Sequence, residues 1–180
     1  MTSNSVPLRY RRAKEQDLPQ IQALEAANYP ADEAASDEML MYRCTRANDF
    51  FDVVEVLGDV PQETGAIIGY ICGTLTTAEC ITHESMSVHE PQGSLLCIHS
   101  VVIDSQYRHQ NIGTALLRQY LSRIRSQPSK VRGIQLIAKS ALLSFYQKSG
   151  FYVRRESAIV HGSDPWLEFH LAQSNLDLHE

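Results

Sequence analysis

Ser94–Thr114 reads SLLCIHSVVIDSQYRHQNIGT, and this stretch decides the fold. Up to Ile103 it is a nearly continuous apolar run broken only by His99 and Ser100, which suits a central strand covered on both faces. After the loop YRHQNIG an amphipathic helix runs from about Thr114 to Ser126, burying Leu116, Leu117, Tyr120, Leu121 and Ile124, and Pro128 ends it. A strand that passes through a tight loop into a helix N-terminus is a device for holding an anion. Unpaired N–H groups and about half a positive charge face the ligand, and a glycine lets backbone approach it. Arg108, His109, Gln110, Asn111, Ile112, Gly113 and Thr114 sit at that place. The arrangement by itself is common among α/β proteins, so a second signal has to come from elsewhere in the chain.

Upstream, Leu8–Arg12 alternates as a short strand, and Gln16–Ala27 carries Leu18, Ile21 and Leu24 at helical spacing. Tyr29-Pro30 breaks that helix, because a residue before proline is pushed out of the α region. An acidic loop, Ala31–Ala35, leads to Ser36, which caps a second helix through Met39, Leu40 and Tyr42. Phe50–Leu57 and Ala66–Leu75 read as an antiparallel hairpin around Gly58, Asp59, Pro61 and Gly65. Residues 76–93 hold no sustained period and read as a polar surface loop, despite His83 and His89. Downstream, Gly133–Ala138 is another buried strand, and Ser140 caps a helix that closes at Gly150. Tyr152–Val160 and Trp166–Leu171 form a last hairpin around His161–Pro165. A single domain is expected over residues 1–180, with its core in 8–171 and a frayed tail at 172–180.

Composition narrows the functions. The chain has 180 residues, is 43% hydrophobic and carries a formal charge of −5, enough for one sizeable core and unlike a phosphate-backbone binder. No nucleic-acid partner is expected. No run approaches the roughly 18 apolar residues of a membrane span, and MTSNSVPLRY lacks the apolar centre of a signal peptide, so a cytoplasmic protein with no membrane partner is expected. Cys44, Cys72, Cys80 and Cys97 show no metal-ligand spacing and read as reduced thiols; no metal is expected. Arg108, His109, Arg118, Arg123, Arg125, Lys130 and Arg132 cluster in one quarter of the chain, either as a local anion site or as a solvated helix face.

The second signal is Leu142–Phe151, LLSFYQKSGF. It resembles the A-x-x-F-Y-x-x-x-G-F signature of the GNAT superfamily, and Arg108–Thr114 resembles that superfamily's pyrophosphate loop, with Arg108 and Gly113 matching and Asn111 at the first glycine. Asn is the commonest non-glycine residue at positive φ, so the replacement is a mild one. The order loop, helix, strand, helix puts both motifs at one edge of the sheet. The resemblance spans Leu8–Leu171 and implies an α/β fold of the GNAT acyl-CoA N-acyltransferase type, a mixed sheet splayed at its middle and flanked by helices, with acetyl-CoA in the wedge. Within the superfamily the chain looks most like the serotonin (arylalkylamine) N-acetyltransferases of non-vertebrate type, on LLCIHSVVI, RQYLSRIRSQP, SALLSFYQKSGF, AIVHGSDPWLEFHL and YPADEAAS. Those of animals carry H-x-H on the central strand; here Cys97 and His99 hold the two positions, and Lys139 replaces the superfamily's asparagine at the start of the second helix.

The chemistry this implies is acetylation of a small primary amine. Only about one alkylammonium in a thousand is neutral at pH 7, so a base has to take the proton. Cys97 and His99 share a strand face, and His99 is the candidate base, with a hydrogen-bonded core histidine as the other reading. Val101, Val102 and Ile103 are placed to donate a free strand N–H to the acyl oxygen. The resemblance gives Tyr146 the protonation of the leaving thiolate, a core aromatic being its other reading. Tyr29, Pro30 and Ile137 offer apolar walls, and Asp32 and Glu33 offer charge for a cation. An arylalkylamine is expected ahead of a polyamine. Acetylation of lysine or a protein N-terminus, a non-catalytic acyl-CoA sensor, and an unrelated anion-binding α/β protein stay as alternatives, and monomer and homodimer are both open.

Overall fold

The computed structural model describes residues 7–58, 65–126, 131–159 and 164–172. Its centre is the predicted apolar run, β4 (Leu95–Ile103), with β3 (Ile67–Thr76) antiparallel on one side and β5 (Gly133–Lys139) parallel on the other. β1 (Leu8–Arg12) and β2 (Phe51–Val56) extend the sheet beyond β3; β6 (Tyr152–Glu156) and β7 (Trp166–Ala172) extend it beyond β5. The seven strands run in the order β1-β2-β3-β4-β5-β7-β6, and β4–β5 is the parallel pair. β3 is buried along its whole length, as a strand covered on both faces must be.

Helices supply the two covers. α3 (Ile112–Ser126) lays Ile112, Leu116, Leu117, Tyr120, Leu121 and Ile124 on one face of the sheet, joined by Tyr146 and Phe151. α1 (Leu18–Asn28) and α2 (Asp37–Arg46) cover the other face, packing Leu18, Ile21, Leu24, Leu40 and Cys44 against Phe51, Tyr70, Cys72 and Val102. Burying one leucine-sized side chain gives about 1.5–3 kcal/mol, so these two stripes outweigh any helix propensity. Local chemistry sets the ends. Ser36 Oγ accepts from the Met39 N–H at 3.2 Å and starts α2. Tyr29, before Pro30, is extended at φ −118° and ends α1.

Four expectations need correction. α3 starts at Ile112 rather than Thr114, because Asn111 at φ 61° turns the chain and its carbonyl takes the first helical bond, from Ala115 N–H at 3.0 Å. Ser140 caps no helix: a 3-10 turn, Ser140–Leu142, leads into the short α4 (Leu143–Gln147). The segment then tightens into i→i+3 bonds, Ser149 to Tyr146 and Gly150 to Gln147, before Gly150 at φ 91°. β6 stops at Glu156, short of Val160, because Ser157 turns, its N–H bonding Trp166 O at 2.7 Å and its hydroxyl taking the Ile159 N–H; residues 160–163 lie outside the described residues, as do Lys130 and the tail from 173. Residues 76–93 are not a plain surface loop: Ile81 and Ser85 are buried, and Gly93 lies so close to Thr76 that a Cβ would sit 2.4 Å from its carbonyl oxygen.

Two irregularities in β4 create the site. Its pairing with β3 shifts by one residue, Ser100 facing Cys72 and Ile98 facing Gly73, so His99 is the extra residue of a β-bulge. Its pairing with β5 runs only from Leu95 with Gly133 to Ile98 with Leu136. Past Ile98 the two parallel strands diverge, and the sheet opens.

Candidate active site

The opening is a cavity of about 470 Å³, within the range of small-molecule sites. Its floor is β4 from Ile98 to Val101, one wall is β5 from Leu136 to Lys139 with Trp166, and the other is the α1–α2 segment from Glu25 to Arg43. Tyr146 of α4 and Met86 and Ser87 complete the lining. The structure thus brings Tyr29, Pro30, Glu33, His99, Val101, Ile137 and Tyr146 around one space, although they come from four separate stretches of chain.

His99 gains its geometry from the bulge, which turns its ring onto Thr74. His99 Nε2 lies 2.7 Å from Thr74 Oγ1, and that hydroxyl also contacts the Ser85 carbonyl at 3.0 Å. A hydroxyl has one proton. Donating it to Ser85 O leaves Thr74 an acceptor, so Nε2 carries the imidazole proton and Nδ1 carries the lone pair. Nδ1 is buried with no hydrogen-bond partner. Burial, assisted by the nearby Arg43 charge, holds the His99 pKa well below the ordinary value, and the ring is neutral at pH 7.

The other polar groups follow from strand alternation and packing. Asp104 N–H bonds Ile68 O at 2.8 Å, so alternate N–H groups along this end of β4, Val102 among them, point to β3. The N–H groups of Val101 and Ile103 then point into the opened side. The Val102 side chain is buried with α1 and α2, whereas Val101 and Ile103 pack on the α3 side. Tyr146 is held by Phe145, Phe151 and Phe169 at ring distances of 4.9, 5.8 and 5.1 Å, and burial raises its pKa, so it remains a phenol. Burial likewise raises Tyr29. Cys97 is fully buried, its thiol pushed up to about 12 by desolvation, and among the described residues no bond joins it to His99. That is an inert thiol.

Beyond the cavity, past the end of β4, lies the loop read as an anion site. His109 and Asn111 both stand at φ 61°, the left-handed turn the sequence suggested for Asn111. Ile112, Gly113 and Thr114 form the first turn of α3, whose N–H groups have no helical acceptor. Arg108 braces the loop, donating to Ile103 O at 3.2 Å and to Asn28 Oδ1, and Gln110 bonds Gln106 O at 3.3 Å. Gly113 packs differently from the expected close approach: a Cβ there would meet Ile103 Cγ1 at 3.4 Å and Phe145 Cε2 at 3.6 Å, which is helix-to-sheet contact. The fit to a pyrophosphate rests on the two positive-φ residues and the free first-turn donors.

Sequence reasoning missed several residues. Glu33, counted as a free charge for a cation, is paired: Lys139 Nζ lies 2.7 Å from Glu33 Oε1 and 3.0 Å from Asp164 Oδ2, and it sits over the Trp166 ring at 5.6 Å. Trp166 is an aromatic wall where only a strand was expected. Glu25 and Arg43 are buried and line the cavity, and Thr74 anchors His99. A signal for Arg43 existed, since it lies on the stripe Leu40, Arg43, Cys44, Ala47, where a charge interrupts the apolar spacing. Among the described residues no helix is long and apolar enough to cross a membrane, and no three His, Cys, Asp or Glu side chains gather as a metal site requires.

Known proteins resemble this chain in sequence and in fold. The sequence model of one family, described as an acetyltransferase (GNAT) domain, matches residues 59–153, more than half of the chain. Serotonin N-acetyltransferase of Mesocricetus auratus is 35% identical over 106 residues, 59% of this chain and 51% of that protein. The chain therefore spans about half the length of the curated relatives it matches. Among solved structures, the loading GNATL domain of CurA from Lyngbya majuscula superposes with a TM-score of 0.81 at 16% identity, covering 93% of this chain and 98% of that one. NAA60 of Arabidopsis thaliana in complex with acetyl-CoA gives 0.74 at 13%, covering 93% and 99%. Identities this low speak for the fold alone.

Proposed function

Because the chain belongs to the GNAT acetyltransferase family, we propose that it transfers an acetyl group from acetyl-CoA to the primary amine of a small arylalkylamine, by direct attack within a ternary complex. The observation that carries this reading is the cavity at the β4–β5 divergence, where His99, Tyr146 and the free side of Val101 converge. The curated relatives are named serotonin N-acetyltransferases, and the walls suit an aromatic amine: Tyr29, Pro30, Met86, Ile137 and Trp166 supply the apolar surface. The pairing of Glu33 with Lys139 leaves less acid for the second ammonium of a polyamine. Acetyl-CoA would supply an acetyl thioester, with its pyrophosphate on Arg108–Thr114 and the first turn of α3.

Each residue then has a task. The apolar walls orient the amine and exclude water. His99, neutral with its lone pair on Nδ1, takes the proton from the attacking nitrogen after a small shift of the ring opens that atom. The Val101 N–H donates to the acyl oxygen as negative charge develops there; removing one such donor costs about 2.7–4 kcal/mol in comparable sites. Tyr146, a phenol at any physiological pH, gives its proton to the departing sulfur.

A thiol-release assay with tryptamine, serotonin, phenylethylamine, spermidine and a lysine peptide tests this. Arylalkylamines are expected to have the highest kcat/KM. A clear preference for spermidine or for the peptide would overturn the substrate class, and no thiol release with any of them would overturn the activity.

A further inference from the structure

Arg43 is a buried cation with no counter-ion among the described residues. It is 5% exposed, on the inner wall of the cavity. Its Nη2 donates to Met86 O at 2.9 Å, its Nη1 has only the Cys72 sulfur at 3.9 Å, and its Nε has no partner. Among the described residues no carboxylate lies within ion-pair distance of it. Buried charges are normally paired, since an unpaired one is expensive to keep in a protein interior. The position is also specific. Arg43 hangs on the carbonyl of Met86, and the Thr74–His99 pair hangs on the carbonyl of the preceding residue, Ser85, so the guanidinium and the imidazole are neighbours on one wall.

The remaining ionisable groups around the cavity are arranged by depth. From α1, Glu25 is buried, one oxygen accepting from Ala35 N–H at 2.7 Å and the other from the Tyr70 hydroxyl; Tyr29 stands beside it. From the α1–α2 loop come Asp32 and Glu33, from β5 Lys139, and beside it Asp164, with Glu33, Lys139 and Asp164 joined in one chain of ion pairs at the rim. From β3 and β4 come Cys72, Cys97 and His99, and from α4 Tyr146, all of them neutral at pH 7 because burial raises the thiols and the phenol and lowers the imidazole. Asp32, Glu33 and Asp164 thus mark the rim, Glu25 is the buried acid of the cavity and is engaged by Ala35 N–H and the Tyr70 hydroxyl, and the charge acting on His99 is that of Arg43.

We propose that Arg43 is a positioning residue for acyl transfer: it opposes a second positive charge beside His99, so that an ammonium attracted by the rim gives its proton to solvent as it settles and is held as the neutral amine. The step balances simply. The ammonium N–H bond breaks, its electron pair stays on nitrogen as the nucleophile, and the proton leaves through the rim to water and buffer. A cation placed beside an amine is a known way of favouring its neutral form. The inference rests on the acetyltransferase reading above.

Calorimetry on the CoA-loaded protein tests it, with phenylethylamine as the probe, at pH 7 in two buffers of different ionisation enthalpy. Free phenylethylamine is almost wholly protonated there, so wild type is expected to release about one proton per amine bound. Arg43→Lys, which keeps the charge, is expected to do the same. Arg43→Met keeps the volume and Arg43→Gln keeps a donor for Met86 O; both are expected to release less than about half a proton and to move the acid limb of kcat to higher pH by about one unit or more, at least about a twofold loss at pH 7 that approaches tenfold at lower pH. CoA affinity, measured in every variant, reports folding separately. Equal proton release in wild type and either neutral variant, no release in wild type, or an unmoved acid limb would overturn the inference. Absence of acetylation in wild type would instead overturn the reading beneath it.

Discussion

Replacing His99 by Gln should flatten the acid side of the protein's stability profile. In the unfolded chain an imidazole takes up a proton below about pH 6.5. In the fold His99 stays neutral well below that, because Thr74 fixes the proton on Nε2 and burial denies Nδ1 a charged form. The sign follows from linkage. A histidine with a depressed native pKa stabilises the fold above the unfolded value, and that contribution is lost as pH falls below it, because the unfolded state binds the extra proton. From pH 7.5 to 5.5 one such group changes stability by RT ln(11/1.1), about 1.4 kcal/mol. His89 and His170, also lowered by burial, act with the same sign in both proteins and cancel in the comparison. Glu55, held below the carboxylate range chiefly by Arg11, titrates at lower pH. Urea unfolding followed by Trp166 fluorescence at pH 7.5, 6.5 and 5.5 should therefore show wild type losing about 1.4 kcal/mol more than His99→Gln. Gln can still donate to Thr74 Oγ1, which keeps that contact in the variant. Equal slopes in the two proteins would mean that His99 is protonated in the native state, and the assigned tautomer and base role would both fall.

Tyr146→Phe should lower kcat by about 10²–10⁴-fold with CoA affinity within a few-fold, because the ring packing on Phe145, Phe151 and Phe169 is retained and only the proton donor is lost. An unchanged kcat would reduce Tyr146 to a core aromatic. Gly113→Ala should keep CoA binding, since its Cβ makes ordinary contacts with Ile103 and Phe145, whereas the branches of Gly113→Val should displace the first turn of α3 and abolish it. Isothermal titration with CoA separates the two, and normal affinity in a folded valine variant would remove the loop from the site. Cys97→Ala should stay active with intersecting initial-rate lines, since a thiol pushed up to about 12 is no nucleophile. Parallel lines together with a dead variant would point to an acyl-enzyme.

The parts legible in sequence are those that a single period encodes. β4 and α3 were readable because an unbroken apolar run and a stripe such as Leu116, Leu117, Tyr120 and Ile124 each have one physical solution. α4 was not, because whether Ser140–Gly150 forms one helix or a 3-10 turn and a short helix depends on how the segment meets Phe151 and Phe169. The bulge at His99 and the parting of β4 from β5 are properties of strand pairs, and the letters of β4 are the same whether or not it pairs past Ile98.

Electrostatics was harder still, and Glu33 shows why. In sequence it is a loop carboxylate beside Asp32, and an attractive field for any cation is the natural reading. Its partner Lys139 lies 106 positions away on the far strand of the cleft, so the pair exists only once β5 and the α1–α2 loop face each other. Arg43 is the converse case. Placed among the hydrophobic positions of α2, it looks in sequence like an error of patterning, and only the carbonyl of Met86 and the neighbouring His99 give it a location. The fold thus ties Glu33 to Lys139 at a rim where Asp32 and Asp164 keep the balance acidic, and it buries inside a cation that the pattern would forbid. A substrate drawn in by charge would then meet, at the reacting end, a field of the opposite preference, which is the arrangement a proton-losing nucleophile requires.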